Sequence, residues 1–290
     1  MTRSGVLNID KPLGVTSHDV VTQVRRTLGE SRVGHAGTLD PLATGVLIVC
    51  VGPAVRLSEF LMASSKTYVA DVHLGRTTTT DDSEGQITAE LPVDGLDAAQ
   101  LTAALPAFTG EIEQIPPDYS AVKQGGKKLY QLARQGRTVE AAPRRVRIDS
   151  LRLLAWTPPV ARIEMVCGPG TYVRSLARDL GQTLGVGGSL AGLRRTVSGV
   201  FRAEEGVAAA ALSDAEALAA ALMPLRQALA GWPVVALDAA ALNDVLHGRR
   251  VQAAPLPPGT LALGVTETGD VAALLRAVAD GWQPERVLVS

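Results

Sequence analysis

The sequence predicts an α+β fold, a mixed sheet flanked by helices and followed by a small strand-rich C-terminal unit. Two observations carry this prediction. Helical and strand periodicities are mixed without the strict strand-helix-strand rhythm of a doubly wound sheet. Pairs of prolines and glycines also punctuate the chain, at Pro116-Pro117, Pro158-Pro159, Gly168-Pro169-Gly170 and Gly231-Trp232-Pro233. With 290 residues, 46% of them hydrophobic, the chain can bury one large core or two unequal ones.

The elements follow in order. Val20, Val21, Val24 and Leu28 recur at helical spacing between Ser17 and Gly29, predicting a helix over Ser17 to Leu28. Val55 to Met62 reads as a second helix. Val46 to Val51 is a continuous apolar run of strand length, and Tyr68, Ala70, Val72 and Leu74 alternate with more polar neighbours as in a half-buried strand. The polar stretch Thr77 to Gly85 is expected as a surface loop. Helices are predicted over Asp97 to Leu105 and Lys127 to Gln135, on either side of Ile115-Pro116-Pro117, whose prolines deny both helix and central strand. Val146 to Leu154 and Val160 to Cys167 read as strands joined through Thr157-Pro158-Pro159. A helix with Leu176, Leu180 and Leu184 on one stripe comes next, and an alanine-rich helix over Ala208 to Leu229 leads to a boundary at Gly231-Trp232-Pro233. The remaining stretch carries short strand-like pieces at Leu261 to Val265 and Arg286 to Val289, with a Pro-rich turn at 255–258.

No run of about 18 apolar residues occurs, and Met1-Thr2-Arg3-Ser4-Gly5 lacks the apolar core of a signal peptide, so a cytoplasmic protein with no membrane partner is expected. Cys50 and Cys167 each sit in an apolar run and read as small core residues rather than a disulfide or zinc framework. His18, His35, His73 and His247 are scattered without ligand spacing, which predicts no metal and disfavours a metal hydrolase. The formal net charge of -1 conceals a polarised distribution. Lys123, Lys127, Lys128, Arg134, Arg137, Arg144, Arg145, Arg147 and Arg152 face only Glu140 and Asp149 within their stretch, whereas acids predominate after Phe201. That pattern suits docking of a polyanion and equally suits a solvated basic face.

The densest motif is Gly34-His35-Ala36-Gly37-Thr38-Leu39-Asp40-Pro41-Leu42-Ala43-Thr44-Gly45, ending on the apolar run. Glycines let a backbone approach a ligand, and Pro41 stiffens the residue after the acid. Asp before Pro is also a common turn pair, so spacing alone leaves Asp40 open as a structural or a reacting carboxylate.

This motif resembles the catalytic motif of the bacterial tRNA pseudouridine synthase B (tRNA pseudouridine-55 synthase) family. The resemblance runs collinearly through about the first 200 residues: Gly5-Val6-Leu7-Asn8-Ile9-Asp10-Lys11-Pro12 with Gly14 and Ser17; Lys66 with Tyr68; Gln114-Ile115-Pro116; Tyr119-Ser120-Ala121; Gly126-Lys127-Lys128-Leu129-Tyr130; Gly170-Thr171-Tyr172-Val173-Arg174; and Leu193-Arg194-Arg195. It implies a pseudouridine synthase fold, with a mostly antiparallel central sheet in a catalytic domain over 1–232, an RNA-binding insertion around 95–145, and a small PUA-like RNA-binding domain over 233–290. It further implies isomerisation of uridine 55 in the T-arm stem-loop of tRNA, by a monomer, without a cofactor.

Carried over, the family's aspartate falls on Asp40, the tyrosine that stacks on the base on Tyr68, which is also the candidate for removing the proton at the ring carbon or for holding the group that does, and the arginine that pairs with the aspartate on Arg174. A nearby guanidinium favours an ionised carboxylate and fixes its direction. His35 resembles the histidine that occupies the space left by the flipped base, and Leu193 the residue that packs on the uracil pocket. Gly37, Thr38, Lys66 and Tyr172 complete the expected substrate contacts, while Lys11, Lys127 and Lys128 are expected on phosphates.

Two departures stand out. Thr79 occupies the place of a loop aspartate, leaving Asp81 or Asp82 to substitute, and Gly168-Pro169-Gly170 lacks the serine and lysine often found there. Two other functions fit parts of the sequence: a noncatalytic RNA chaperone of the same fold, which the Asp40, Tyr68 and Arg174 set disfavours, and a glycoside hydrolase, for which no second carboxylic acid motif stands out.

Overall fold

A computed structural model describes residues 4–120, 123–124, 127–128, 141–254 and 256–288. Strand β1 (Gly5–Lys11) leads into helix α1 (Ser17–Leu28), whose predicted range is the observed one. Thr16 caps it reciprocally with Asp19, Gly29 ends it in the left-handed conformation, and Val20, Val21, Val24 and Leu28 are buried. Strands β2 (Val33–His35) and β3 (Ala43–Val51) follow. The stretch read as one helix from Val55 is a 3-10 turn, Gly52–Leu57, with Pro53 in its first turn, and then a short helix α2 (Ser58–Met62).

Strand β4 (Lys66–Leu74) alternates in burial with Tyr68, Ala70, Val72 and Leu74 inward. Strands β5 (Arg76–Thr78) and β6 (Ile87–Glu90) pair with each other, α3 (Ala98–Ala104) starts at an Asp97 cap, and β7 is Gly110–Gln114. Lys127–Lys128 does not open a helix. It forms β9, paired antiparallel with β8 (Lys123–Gln124). The rest of that expected helix, 129–135, lies outside the described residues, as do Arg134 and Arg137.

Strands β10 (Arg144–Thr157) and β11 (Val160–Cys167) flank the prolines, with a cis bond between Pro158 and Pro159. Helix α4 (Val173–Thr183), β12 (Gly188–Ser198) and β13 (Phe201–Arg202) follow. The alanine-rich stretch breaks into a 3-10 turn (Ala209–Ser213), α5 (Ala215–Ala220) and α6 (Leu225–Ala228). Asp214 turns its carboxylate back to cap α5, Met223 pairs with Val6 of β1, and Pro224 denies continuation.

The main sheet runs β1-β3-β12-β4-β11-β10-β7, with β2 on β3 and β13 on β12. Its pairings are antiparallel except β12 with β3. At that parallel seam Leu193 lies opposite Ala43 and Ala70, and Arg195 opposite Gly45 and Tyr68. Leu47, Val49 and Val51 face Val20, Val21 and Val24 of α1, while Val46, Ile48 and Cys50 face Leu57 and Leu61. Burial on both faces explains why β3 is apolar without alternation.

A second sheet, β14 (Val234–Leu237), β15 (Leu261–Thr266), β16 (Val271–Val278) and β17 (Gly281–Val287), carries α7 (Ala239–Leu246). Leu263, Val265 and Leu274 of this sheet share one buried cluster with Leu57 of the 3-10 turn and Leu61 of α2. Trp282 is fully buried within its own core. No helix among the described residues is long and apolar enough to cross a membrane.

Candidate active site

Asp40 lies on a loop fastened from several sides. Ser17 Oγ donates to the Leu39 carbonyl at 2.9 Å and accepts from the Leu39 amide at 2.8 Å. The Gly14 amide donates to the Pro41 carbonyl (2.9 Å), and the Ala43 amide to the carbonyl of Asp40 (3.0 Å). Gly45 has φ 96°, and a Cβ there would lie 2.1 Å from the Arg195 carbonyl oxygen, so only glycine lets β3 and β12 meet at this point. Arg195 is buried and donates to the carbonyls of Val46 (2.7 Å) and Gly37 (3.1 Å), stitching both ends of the motif to β12.

Lys11 is also part of this brace. Its ammonium is buried and donates to the carbonyls of Pro12 (2.9 Å), Val15 (2.7 Å) and Pro41 (3.5 Å). The expected phosphate contact at Lys11 is therefore corrected: its donors are spent on the backbone that shapes the Asp40 loop. Burial pushes its pKa down, with Asp40 partly opposing.

Helix α4 begins after Gly170, and its first turn aims Arg174 back at the loop. Arg174 Nε lies 3.1 Å from Asp40 Oδ2, with the arginine side chain 6% exposed and that of Asp40 40% exposed. The rest of the guanidinium is fully employed: Nη1 donates to the Thr80 carbonyl (3.1 Å), Nη2 to the Tyr119 carbonyl (2.8 Å), and Nη1 lies 3.5 Å from Asp82 Oδ2. Burial raises the Asp40 carboxyl above its ordinary pKa; Arg174 opposes this and Asp82 reinforces it. The arrangement presents a partly accessible carboxylate with its direction fixed and its basicity increased.

The loop expected at the surface is thus part of the site. Thr78 and Asp82 are buried, and Asp82 accepts from Thr80 Oγ1 (2.5 Å) and the Glu84 amide (3.0 Å) while facing Arg174. Of the two acids left to replace the absent loop aspartate, Asp82 reaches Arg174, and Asp81 pairs with Arg178 at 2.9 Å.

Tyr68 is buried on β4 directly across from Arg195; burial pushes its phenol up, with Arg195 opposing. Leu193 is half-buried two residues before Arg195 on the same strand. His35 is half-buried on β2, within the motif, and burial lowers its pKa, aided by Arg195. Thr38 is exposed beside Gly37. Lys66 is buried, and its ammonium donates to the carbonyls of Met62 and Ser64. Its pKa is pushed down to about 8, chiefly by burial. The expected substrate contact at Lys66 is corrected accordingly, since its donors face the protein.

Tyr172 is half-buried, and its backbone is clamped by buried Gln114, which accepts from the Tyr172 amide (2.8 Å) and donates to its carbonyl (3.0 Å). Sequence reading assigned no role to Gln114, Arg178 or Arg195, although Gln114 and Arg195 lie in motifs it singled out. The Asp81-Asp82 doublet was the available signal for this side of the site. The side chains of Lys127 and Lys128 lie outside the described residues. Of the remaining basic patch, Arg144, Arg145, Arg147 and Arg152 are exposed along β10, and Arg147 and Arg152 pair with Asp149 and Glu164. Exposed pairs of this kind contribute little and can be exchanged for phosphate. Among the described residues no group of His, Cys, Asp and Glu could hold a metal ion.

Residues 25–173 match the model of the TruB family pseudouridylate synthase N-terminal domain, and residues 174–230 that of the tRNA pseudouridylate synthase B C-terminal domain. A tRNA pseudouridine synthase B from Cupriavidus metallidurans is 44% identical to this chain, across 98% of this chain and 94% of its own length. Another, from Symbiobacterium thermophilum, is 50% identical, across 84% of this chain and 82% of its own. Among solved structures, a chain of an H/ACA RNP bound to a substrate RNA containing 2'-deoxyuridine is similar, with a TM-score of 0.74 at 26% identity, covering 99% of this chain and 85% of that one.

Proposed function

The chain belongs to the TruB family of pseudouridine synthases, and from that premise we propose that it isomerises uridine 55 in the T loop of tRNA, with Asp40 as nucleophile. The observation that carries the mechanism is the pairing of a rigidly held, partly accessible Asp40 with a nearly buried Arg174. The relatives' common name, tRNA pseudouridine synthase B, supports tRNA as the substrate. The exposed arginines of β10 supply a positive surface for its backbone.

The uridine must leave its stack to reach the carboxylate, at a cost of a few kcal/mol. Asp40 then bonds to the ribose carbon as the N-glycosidic bond breaks and the uracil departs as an anion. The base turns within the pocket, its carbon five bonds to the ribose carbon, and the carboxylate is released. Loss of the proton at carbon five and gain of one at the former glycosidic nitrogen complete the exchange without cofactor or metal.

Tyr68 covers the base from β4, and Leu193 packs beside it. Because burial raises the Tyr68 phenol, it stays protonated near neutral pH, which suits holding the ring rather than removing its proton. His35 fills the space of the everted nucleotide, with Gly37, Thr38 and Tyr172 bordering the pocket. Residues 1–232 act as the catalytic unit, and the sheet that starts at Val234 is a peripheral RNA grip assigned by position and analogy to the PUA domain.

The test is tritium release from a tRNA labelled at carbon five of its T-loop uridine. The parent protein is expected to turn over without added metal or cofactor. Asp40→Asn is expected to bind the tRNA with unchanged affinity and release nothing; equal release by both proteins would remove Asp40 from the reaction.

A further inference from the structure

Arg174 and Arg178 lie four residues apart on α4, hence on one face of the helix. They grip the same two chain segments. Arg174 takes the carbonyls of Thr80 and Tyr119 and faces Asp82. Arg178, one turn on, donates to Asp81 Oδ2 (2.9 Å) and to the Ile115 carbonyl (3.0 Å). Ser175 also donates to Ile115 (2.7 Å), and the Gln114 clamp fastens the same stretch.

The loop is tied to β12 through its backbone, where the Leu190 amide donates to the Asp81 carbonyl (2.9 Å) and the Ser83 amide to the Leu190 carbonyl (2.9 Å), and Arg178 adds a hold on the Asp81 side chain. Asp81 adopts φ 60°, a left-handed conformation that residues other than glycine rarely take, and its carboxylate is held by Arg178. The turn at Asp81 aims the next side chain, Asp82, at Arg174, and the preceding carbonyl, that of Thr80, at the same guanidinium.

We propose that Arg178 is a positioning residue for the reaction: by pinning Asp81 in its left-handed turn it holds Asp82 and the Thr80 carbonyl on Arg174, and so sets the direction of Arg174 against Asp40. Arg178 touches neither Asp40 nor the substrate pocket and acts through the loop. The inference rests on the reading of Asp40 as nucleophile for its effect on turnover, but its effect on the Asp40 carboxyl does not.

The groups facing Asp40 are Arg174 from α4, Asp82 and Glu84 from the loop, Lys11 from β1, and the phenols of Tyr68 from β4 and Tyr172 just before α4. Loosening Arg174 weakens the cation that holds the Asp40 pKa down, so the carboxyl titrates at higher pH.

The experiment compares the parent with Arg178→Ala, Asp81→Ala and the double variant. Carbon-13 NMR titration follows the Asp40 carboxyl, and turnover is measured on T-arm tRNA. Arg162→Ala, which breaks an exposed ion pair with Asp71 on β4 and β11, serves as the control for loss of a surface arginine and is expected to behave as the parent.

Arg178→Ala is expected to raise the Asp40 titration midpoint and to lower kcat roughly tenfold with KM within about twofold. Arg178→Lys should restore part of both effects. Asp81→Ala should move the Asp40 titration in the same direction, and the double variant should be no worse than Arg178→Ala, which already removes the Asp81 contact together with those to Ile115 and Asp179. A lowered melting temperature with an unmoved Asp40 titration and unchanged kcat would show that Arg178 only stabilises the fold and would overturn the inference. If Asp40→Asn stays active, the nucleophile reading fails, yet a shifted Asp40 titration in Arg178→Ala still supports the positioning role.

Discussion

Replacing Arg174 by lysine keeps the charge and removes the geometry. The guanidinium serves four acceptors at once: Asp40, Asp82 and the carbonyls of Thr80 and Tyr119, at 2.8 to 3.5 Å. An ammonium has three donors on one atom and cannot span such a fork. With lysine drawn to the two carboxylates, the carbonyls of Thr80 and Tyr119 lose their donor. Hydrogen bonds to a charged group contribute about 1.5–3 kcal/mol each, so the loss is about 3–6 kcal/mol before relaxation. Against a total stability of about 5–15 kcal/mol this is a large share, so Arg174→Lys is expected to show a clearly lower urea midpoint.

Turnover falls although the charge is kept, since a misplacement of about 1 Å costs on the order of a hundredfold in rate. The pH profile supplies the sign. Arg174 is the principal group lowering an Asp40 pKa that burial has raised. A less well-placed cation lets that pKa rise further, so the acidic limb of kcat moves to higher pH. Urea denaturation and single-turnover tritium release between pH 5 and 8 measure both effects. A variant with the parent's midpoint, kcat and acidic limb would show that the fork is not what organises the site.

Gly45→Ala should lose about 2–6 kcal/mol in urea denaturation, because its Cβ would sit 2.1 Å from the Arg195 carbonyl at a positive φ. Gly14→Ala, with φ 84° and nothing within 4 Å, should lose only about 1–2 kcal/mol, and equal losses would refute the close approach of β3 and β12 as the reason for glycine. Lys66 has a folded-state pKa of about 8 against an ordinary 10.5, so between these values the unfolded chain binds more protons and stability rises with pH. The stability difference between the parent and Lys66→Met, measured by urea denaturation, should therefore shift in the parent's favour from about pH 8 to 10.5, and a flat difference would contradict the burial of that ammonium.

Sequence pattern revealed the elements wherever two faces differ. Helix α1 shows a valine stripe, a capping box and a terminal glycine, and its predicted range is the observed one. Strand β4 shows clean alternation. The stretch from Ala208 to Leu229 offers no such contrast, because alanine suits either face, and its actual breaks come from a cap at Asp214 and from Pro224. The site was legible through Asp40, Arg174 and Tyr68, which the collinear motifs single out. The burial of Thr78 and Asp82 was not, since a run of threonines and acids reads as solvated until an arginine from a distant helix is brought against it. Lys11, expected on phosphate, and Lys66, expected on the substrate, misled for the complementary reason: backbone carbonyls, which sequence does not display, take up both ammonium groups.

The sharing of Arg174 between two carboxylates bears on how a buried aspartate can react. Burial alone raises a carboxyl pKa, and a carboxylate in sole possession of a guanidinium is stable but weakly basic. Asp40 has neither environment. Its partner arginine is divided with Asp82, and the nearby negative charge of Asp82 pushes the Asp40 pKa in the same direction as burial does. The resulting carboxylate is more basic than an ordinary one and still faces a fixed cation. On the proposed mechanism both properties are needed, the first to attack carbon and the second to keep the released carboxylate stable once the base has rejoined the sugar. On that mechanism Asp82 tunes Asp40 from the far side of Arg174, and the buried loop that carries it serves the chemistry as well as the fold.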